Sequence, residues 1–483
     1  MKLSEVVRRS VSPDPQIAGV TADSRKVAKG FLFAALPGAK VDGRTFAAGA
    51  AEAGAAAILA GGDVPGLKIQ VIVSPDPRRA YALAAANFWG AQPATCVAVT
   101  GTNGKTSVAN FCRQMFARAG RDSASMGTLG LTVSRPDGTD EQLTPAGLTT
   151  PDAADIAELL ARIAGMGVSH FAMEASSHGV DQRRLDGVKL VAAAFLNLTQ
   201  DHLDYHGTMG AYRAAKLRLF ETLLPRGGTA VLNADCDAYP EFAAAAVCAG
   251  QSVVSVGEAG QGIRLLDRSL LPDGQKLKLD IHGLAAEVRL PLAGGFQASN
   301  ALVALGLCMA GGLSADEALA GLQTLQGAAG RLQRVGAGPR GGEAYVDYAH
   351  TPDGLETVLN ALRPHARGKL VLVFGAGGDR DRGKRPIMGE IAGRLADVAI
   401  VTDDNPRSEE PAAIRAQVLA GAKGLREVGD RREAIREAAA LLSDGDILVV
   451  AGKGHEQGQI VGATVHPFDD VAETHAALEL VHG

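Results

Sequence analysis

Nowhere in this 483-residue chain does an apolar run approach the roughly 18 residues that a membrane-spanning helix needs. The first residues, Met1-Lys2-Leu3-Ser4-Glu5-Val6-Val7-Arg8-Arg9, lack the apolar core of a secretory signal, so export is not expected. Cysteine is scarce. The five residues, Cys96, Cys112, Cys236, Cys248 and Cys308, are scattered and show no CxxC spacing. That argues against a disulfide framework and for reduced thiols in a cytoplasmic protein. No HExxH helix and no cysteine pair is present to hold zinc. The formal net charge is −5, and no run of five or more Lys/Arg occurs, so a nucleic-acid partner is not indicated. No internal repeat is present. What remains is ordinary for a globular enzyme, with 46% hydrophobic and 21% charged residues. The length suggests roughly three domains of about 150 residues.

One stretch carries a definite chemistry. Val97-Ala98-Val99-Thr100 reads as a strand, Gly101-Thr102-Asn103-Gly104 as a glycine loop, and Lys105-Thr106-Ser107 as the start of a helix. The helix is marked by Val108, Phe111, Cys112, Met115 and Phe116 on one apolar face, and Gly120 ends it. A strand, a glycine loop and a helix N-terminus form an anion site, because free N–H groups and the positive end of the helix dipole meet there. Lys105 can reach a β- or γ-phosphate, and the Thr106 hydroxyl can bind Mg²⁺. The full P-loop pattern has glycine where Val99 stands, so this is a short variant. A bare glycine turn before a helix is the alternative, and the strand–loop–helix context argues against it.

Three blocks follow from the pattern, divided as 1–89, 90–329 and 330–483. The first holds short strand-like pieces, Phe31–Leu36 and Ala56–Leu59. The second alternates strands (Val168–Met173, Leu190–Leu196) with helical patterns, as parallel α/β units do. Glu174, Asp201, His202, Asp204 and His206 fall at its strand ends, the edge that also carries the glycine loop. Mg²⁺ takes oxygen ligands and keeps waters, so one carboxylate plus phosphates can suffice. Read alone, 201–206 is equally a solvated polar loop.

The third block has three buried-strand runs, Leu370–Phe374, Val398–Val401 and Ile447–Val450, each followed by a polar loop. The first loop, Gly375-Ala376-Gly377-Gly378-Asp379-Arg380, invites a dinucleotide reading, but GxGxxG requires glycine where Arg380 stands. The others are Asp403-Asp404-Asn405-Pro406-Arg407 and Gly452-Lys453-Gly454-His455-Glu456. Ligands of open parallel sheets bind beyond the carboxyl ends of strands. Arg pairs with carboxylates and Glu or Asp with amines, so these loops suit a ligand that has both.

Six ordered motifs then resemble one family: Gly101–Ser107, Met173–Gly179, Asp201–His206, Val346–Asp353, Phe374–Arg380 and Asp404–Arg407, with Asp23-Ser24-Arg25 ahead of them. They are similar to the Mur ligases, and within them to the branch that adds meso-diaminopimelate to UDP-N-acetylmuramoyl-L-alanyl-D-glutamate. Ala175 and Ser107 depart from the common Val and Thr of that branch, at positions that carry no charge. The resemblance implies an α/β fold in three domains: an N-terminal UDP-binding domain, a central P-loop ATPase with a parallel sheet, and a C-terminal Rossmann-like domain for the amino acid.

It also implies roles. ATP binds at Gly101–Ser107, with Asn300 against adenine and Arg331 and Asp347 on the nucleotide as the C-terminal domain closes. Mg²⁺ is held by Thr106, Glu174 and His202, together with Lys216, which the family carries as a carbamate. Spacing alone would make Lys216 a surface helix lysine. The UDP substrate contacts Ser24, Thr149, Thr150, Ser176, Gln182 and Arg184. The amino acid contacts Arg380, Asp404, Asn405, Pro406, Arg407, Gly452 and Glu456. A monomer is expected. The rivals are the L-lysine-adding branch, a folylpolyglutamate-type synthetase, and a nucleotide-binding regulator that hydrolyses ATP without ligating. Lysine offers Arg407 no second carboxylate.

Overall fold

In a computed structural model of the chain, residues 1–38, 41–271 and 273–480 are described. They form two compact units: 1–261 with 303–318, and 262–302 with 319–483.

The first unit begins with four parallel strands in chain order: Gly19–Thr21, Phe31–Ala35, Ala57–Ala60 and Gln70–Val73. The helix Pro77–Trp89 covers them. Asp76 caps it by accepting from Arg79 N, Pro77 sits in the first turn, and Gly90 at φ 74° ends it. Its buried face (Tyr81, Ala82, Ala84, Ala85) shares a core with Ala153, Ala154 and Ala157 of the helix Ala153–Gly165. The small side chains let the two helices approach closely.

A second sheet of this unit carries the glycine loop. Its parallel strands run Ser252–Gly257, Thr229–Asn233, Leu190–Phe195, Thr95–Thr100, His170–Glu174 and Ser123–Gly127. Two antiparallel strands, Gly130–Ser134 and Asp140–Thr144, extend its edge. The central strands are buried on both faces, which is why they read as unbroken apolar runs. The edge pair escaped the sequence reading because Asp140-Glu141-Gln142 is polar and exposed. The strand expected at Val168 starts at His170 instead. Val168 N and Ser169 N close the preceding turn onto Ile163 O and Asp122 O.

The second unit opens with three antiparallel strands, Ile263–Leu271, Gly274–Ile281 and Leu284–Leu290. A six-stranded sheet follows in the order Gln333–Ala337, Glu343–Asp347, Ile447–Ala451, Leu370–Phe374, Val398–Val401, Arg426–Glu427. Only its first pair is antiparallel. The three expected strands of this block occur where the apolar runs placed them, one extended to Ala451. The architecture is the expected mixed α/β one with parallel sheets. Among the described residues no helix is long and apolar enough to cross a membrane.

Candidate active site

The strand Thr95–Thr100 runs into Gly101–Gly104 and then into the helix Lys105–Arg118. Gly104 adopts φ 90°, a left-handed turn that glycine makes without steric penalty. Among the described residues no side chain caps this helix, and an uncapped helix N-terminus is a place where an anion binds. The loop is clamped from the next strand end. Thr102 N donates to Asn197 O and Asn103 N to Asn197 Oδ1, both at 2.9 Å. Thr199 N donates to Thr102 Oγ1 at 3.0 Å.

Two lysines converge on one carbonyl oxygen. Lys105 Nζ donates to Gly101 O at 2.9 Å and to Thr102 O at 2.8 Å. Lys216 Nζ, in the helix Met209–Arg218, donates to the same Gly101 O at 2.8 Å. Lys216 is 1% exposed, so it is not the surface lysine that its spacing suggests. Burial, and then the charge of Lys105, hold its pKa well below the usual lysine value. Two lysine nitrogens donating to one carbonyl beside an uncapped helix form a donor-rich site suited to an anion.

Glu174 ends the strand His170–Glu174 and is 2% exposed. Its Oε1 accepts from Thr128 N at 2.8 Å. Gly127 is packed so tightly beside it that an added Cβ would land on the carboxylate. Gly127 has ordinary strand backbone, so alanine there tests where Glu174 must be. Gly127→Ala is expected to cut Mg²⁺-dependent phosphate release by about tenfold or more while the melting temperature changes little. Unchanged turnover would mean that the observed Glu174 position is not needed.

His202 takes φ 53° before the short helix Leu203–His206 and is exposed, its Nε2 lying 3.4 Å from Asp201 Oδ2. Its ring stands edge-on to His178, with centroids 4.9 Å apart. His206 Nε2 pairs with Ser177 Oγ at 3.0 Å. Burial lowers the pKa of both His178 and His206. Among the described residues no three His, Cys, Asp or Glu side chains assemble as a metal cage. The donor set at the loop is therefore one that phosphates and water would complete. The Thr106 hydroxyl, the Glu174 carboxylate and the two-lysine anion site fit a nucleotide phosphate with a hard divalent cation.

The residues expected to touch the UDP substrate divide into two places. Thr150, Ser176, Gln182 and Arg184 form one network. Thr150 Oγ1 pairs with Ser176 Oγ at 2.9 Å and donates to Glu174 O at 3.1 Å. Arg184 donates to Thr150 O at 2.6 Å and to Gln182 Oε1 at 2.7 Å. Thr149 joins through Thr128, whose hydroxyl lies 2.9 Å from its own. Ser24 is elsewhere, lining a cavity of about 1030 Å³ beside the N-terminal sheet. Phe31, Phe33, Phe46, Phe88 and Trp89 also line it, and Tyr81 and Asp152 stand at its wall.

In the second unit, Asn300 Nδ2 donates to Gln297 Oε1 at 3.1 Å, and Gln297 Nε2 donates to Arg331 O at 3.3 Å. The Arg331 guanidinium lies 4.8 Å from the Tyr348 ring centre, and its buried Nε has no hydrogen-bond partner among the described residues. Asp347 accepts from Leu332 N and Ala349 N at 2.7 and 2.8 Å, and burial raises its pKa. Gly330 packs directly against Gly454 and His455 N, tying this segment to the loop that carries Gly452 and Glu456.

Arg407 takes φ 51° and is held at both backbone ends by the hairpin Gly458–Val461/Thr464–Pro467: Arg407 N donates to Ile460 O, and Gly462 N to Arg407 O. Its NH1 donates to Gly378 O at 2.8 Å. Among the described residues the rest of the fork makes no hydrogen bond. Pro406 O packs on Gly378. Asp404 is buried, with Oδ2 close against Gly452 and without a hydrogen-bond partner among the described residues. Arg380 is exposed, and its NH1 donates to the Asp379 carbonyl.

Three stretches match the domains of one family. Residues 16–88 match the Mur ligase family catalytic domain, 99–308 the Mur ligase middle domain, and 330–454 the Mur ligase glutamate ligase domain. A UDP-N-acetylmuramoyl-L-alanyl-D-glutamate--2,6-diaminopimelate ligase of Caulobacter vibrioides is 70% identical over 479 residues, 99% of each chain. The chain belongs to the Mur ligase family. A Brucella melitensis protein of the same name is 52% identical over 99% of this chain and 98% of its own. A solved structure of a ligase of that name is 33% identical and covers 100% of this chain and 99% of that one, with a TM-score of 0.79. Mycobacterium tuberculosis folylpolyglutamate synthase, solved with ADP and AMPPCP, is 21% identical over 84% of this chain and 95% of its own, with a TM-score of 0.60; it shares the fold.

In this Mur ligase, several residues that shape the site went unnoticed in the sequence. Asn197 clamps the glycine loop, and its only signal was its place just after a strand. Gly127 and Thr128 set the Glu174 carboxylate from a strand too polar to recognise. Lys453 lay in a motif already in view, but nothing in the spacing showed that it is buried.

Proposed function

We infer that this Mur ligase uses ATP to join meso-diaminopimelate to UDP-N-acetylmuramoyl-L-alanyl-D-glutamate, as a monomer making peptidoglycan precursor in the cytoplasm. The observation that carries the choice of amino acid is Arg407. One guanidinium nitrogen is anchored to Gly378 O, and the rest of the fork is left for a carboxylate that lysine does not have. In this reading the division is 1–89 for the UDP end, 90–329 for ATP and 330–483 for the amino acid. The aromatic-walled cavity beside Ser24 offers faces on which a base can stack.

A carboxylate does not accept an amine directly, because oxide is a poor leaving group. Transfer of the ATP γ-phosphoryl group to the D-glutamate γ-carboxylate makes an acyl phosphate, and the amine then displaces phosphate. Such transfer needs mainly positioning and charge neutralisation. Lys105 and the uncapped N-terminus of its helix orient and neutralise the phosphates. Thr106, Glu174 and His202 would hold Mg²⁺, which adds charge neutralisation when bound. Asn300, Arg331 and Asp347 serve the nucleotide. Thr149, Thr150, Ser176, Gln182 and Arg184 serve the peptide end, and Arg380, Asp404, Asn405, Pro406, Gly452 and Glu456 the amino acid.

Lys216 is read as carbamylated. Burial and the charge of Lys105 lower its pKa and so favour the free amine, which attacks CO₂, forming an N–C bond and releasing a proton; the product is an anion suited to a hard cation. With ¹³C-labelled bicarbonate, a carbamate carbon signal is expected, and it should vanish in Lys216→Ala. That variant should lose ligation and partly recover it with a small added carboxylic acid. No signal in the nucleotide- and Mg²⁺-bound enzyme would refute the modification.

The function itself is tested by a panel of diaminopimelate isomers, lysine and ornithine, reading phosphate release and product mass. Release with lysine equal to that with meso-diaminopimelate would place the chain in the lysine branch. Release without amino acid or UDP substrate would make it a plain ATPase.

A further inference from the structure

Behind the Asp404–Arg407 loop lies a buried cation to which the reaction scheme gives no task. Lys453, just after the strand Ile447–Ala451, has no exposed surface. Its Nζ donates to Asn405 Oδ1 at 2.9 Å and stands 3.5 Å from Glu456 Oε2. Asn405 Nδ2 donates to that same Glu456 Oε2 at 2.8 Å. Ammonium, amide and carboxylate thus close a ring.

The ring has one sense only. Asn405 Oδ1 also accepts from Ile460 N at 2.9 Å. A reversed amide would aim its NH₂ at an ammonium and a backbone N–H, and would present its oxygen to a carboxylate. Lys453 therefore decides which end of the amide meets Glu456. A buried ammonium is costly without counter-charge. Glu456 and the neighbouring Asp404 provide it, while Arg431 is committed to Asp470 through bonds of 2.8 and 2.7 Å. Glu456 Oε1 has no hydrogen bond among the described residues, and its side chain is 34% exposed.

We propose that Lys453 is a positioning residue for the amino-acid site: it holds Glu456 by one oxygen, directly and through Asn405, so that the other is left to accept from the ammonium of the incoming amino acid. The proposal rests on the reading that places the amino acid at Arg407 and Glu456. Arg407 then takes one end of the zwitterion and the fixed Glu456 the other, with Lys453 touching neither the ligand nor the reacting atoms.

The test compares KM for meso-diaminopimelate, ATP and the UDP substrate, with kcat and melting temperature, in the full-length enzyme. Lys453→Met is expected to raise the diaminopimelate KM by about ten- to a hundred-fold, the loss of a charged hydrogen bond, with the other two constants nearly unchanged. In a Glu456→Gln background the same change should add little, because the two act as one unit. Equal rises in all three constants, an unchanged diaminopimelate constant, or additive effects would overturn the proposal. If Lys453→Met fails to fold, Lys453→Arg keeps the charge but not the single short contact; it should give a smaller rise confined to diaminopimelate. An unchanged constant there would assign Lys453 to folding alone and also overturn it. The underlying reading fails separately: then Glu456→Gln and Arg407→Ala would leave the diaminopimelate constant unmoved.

Discussion

Lys105→Ala and Glu174→Ala are each expected to abolish ligation while leaving binding of the UDP substrate mostly intact. Lys105 holds the two carbonyl oxygens of the glycine loop and stands at the first residue of an uncapped helix. Lys216 shares the Gly101 carbonyl oxygen, but burial and then the charge of Lys105 push its pKa down, so it is a poorer replacement for the Lys105 ammonium. Glu174 is fixed by Thr128 N and by the tight packing of Gly127, so a substitute carboxylate cannot slide in. Loss of one preorganised charge-stabilising group removes about 10²–10³ in kcat, and loss of the metal carboxylate removes at least as much. The cavity beside Ser24 is built by other elements and should bind the uridine end as before. The measurement is single-turnover product formation beside calorimetric titration of the UDP substrate. Near-normal turnover of either variant in Mg²⁺ would mean the roles are wrongly assigned.

The second large effect is one of selectivity. Arg407→Ala should raise the apparent constant for meso-diaminopimelate far more than those for ATP or the UDP substrate. Truncating one partner of a desolvated, hydrogen-bonded charge pair costs about 2–5 kcal/mol. That is about 30-fold to several thousand-fold in affinity. The backbone of Arg407 is pinned by the hairpin through Ile460 and Gly462, so alanine there removes the fork while the main-chain bonds remain. Alanine does pay for φ 51°, and a thermal melt measures that separately from the kinetics. Equal effects on all three substrates would make Arg407 a structural residue. Discrimination against lysine should shrink in the variant, since lysine never had the second carboxylate to lose.

Much of the site was legible because its parts are local. A strand, a glycine loop and an amphipathic helix follow one another within 95–118, and their positions depend on near neighbours. The same holds for Leu370–Phe374 and Val398–Val401, which are buried on both faces and so read as plain apolar runs. Local pattern failed where surroundings decide. Lys216 sits in a helix with little sidedness of its own, and only the docking of that helix onto the loop, 115 residues earlier in the chain, buries its amine on Gly101 O. The strand Ser123–Gly127, whose end meets Glu174, carries too few apolar residues to announce itself.

By itself the sequence determined the α/β class, the strand–glycine loop–helix unit, the strand ends that carry the polar motifs and, through their order, the family. Each of these is written in short-range periodicity or in contiguous motifs. The tertiary structure alone decided which charges are buried and what they face: Lys216 against Lys105, Glu174 against Thr128 and Gly127, Lys453 against Asn405 and Glu456. Burial and hydrogen-bond partnership are set by elements far apart in the chain. The charge state of a lysine and the aim of a carboxylate therefore depend on packing that no local pattern encodes.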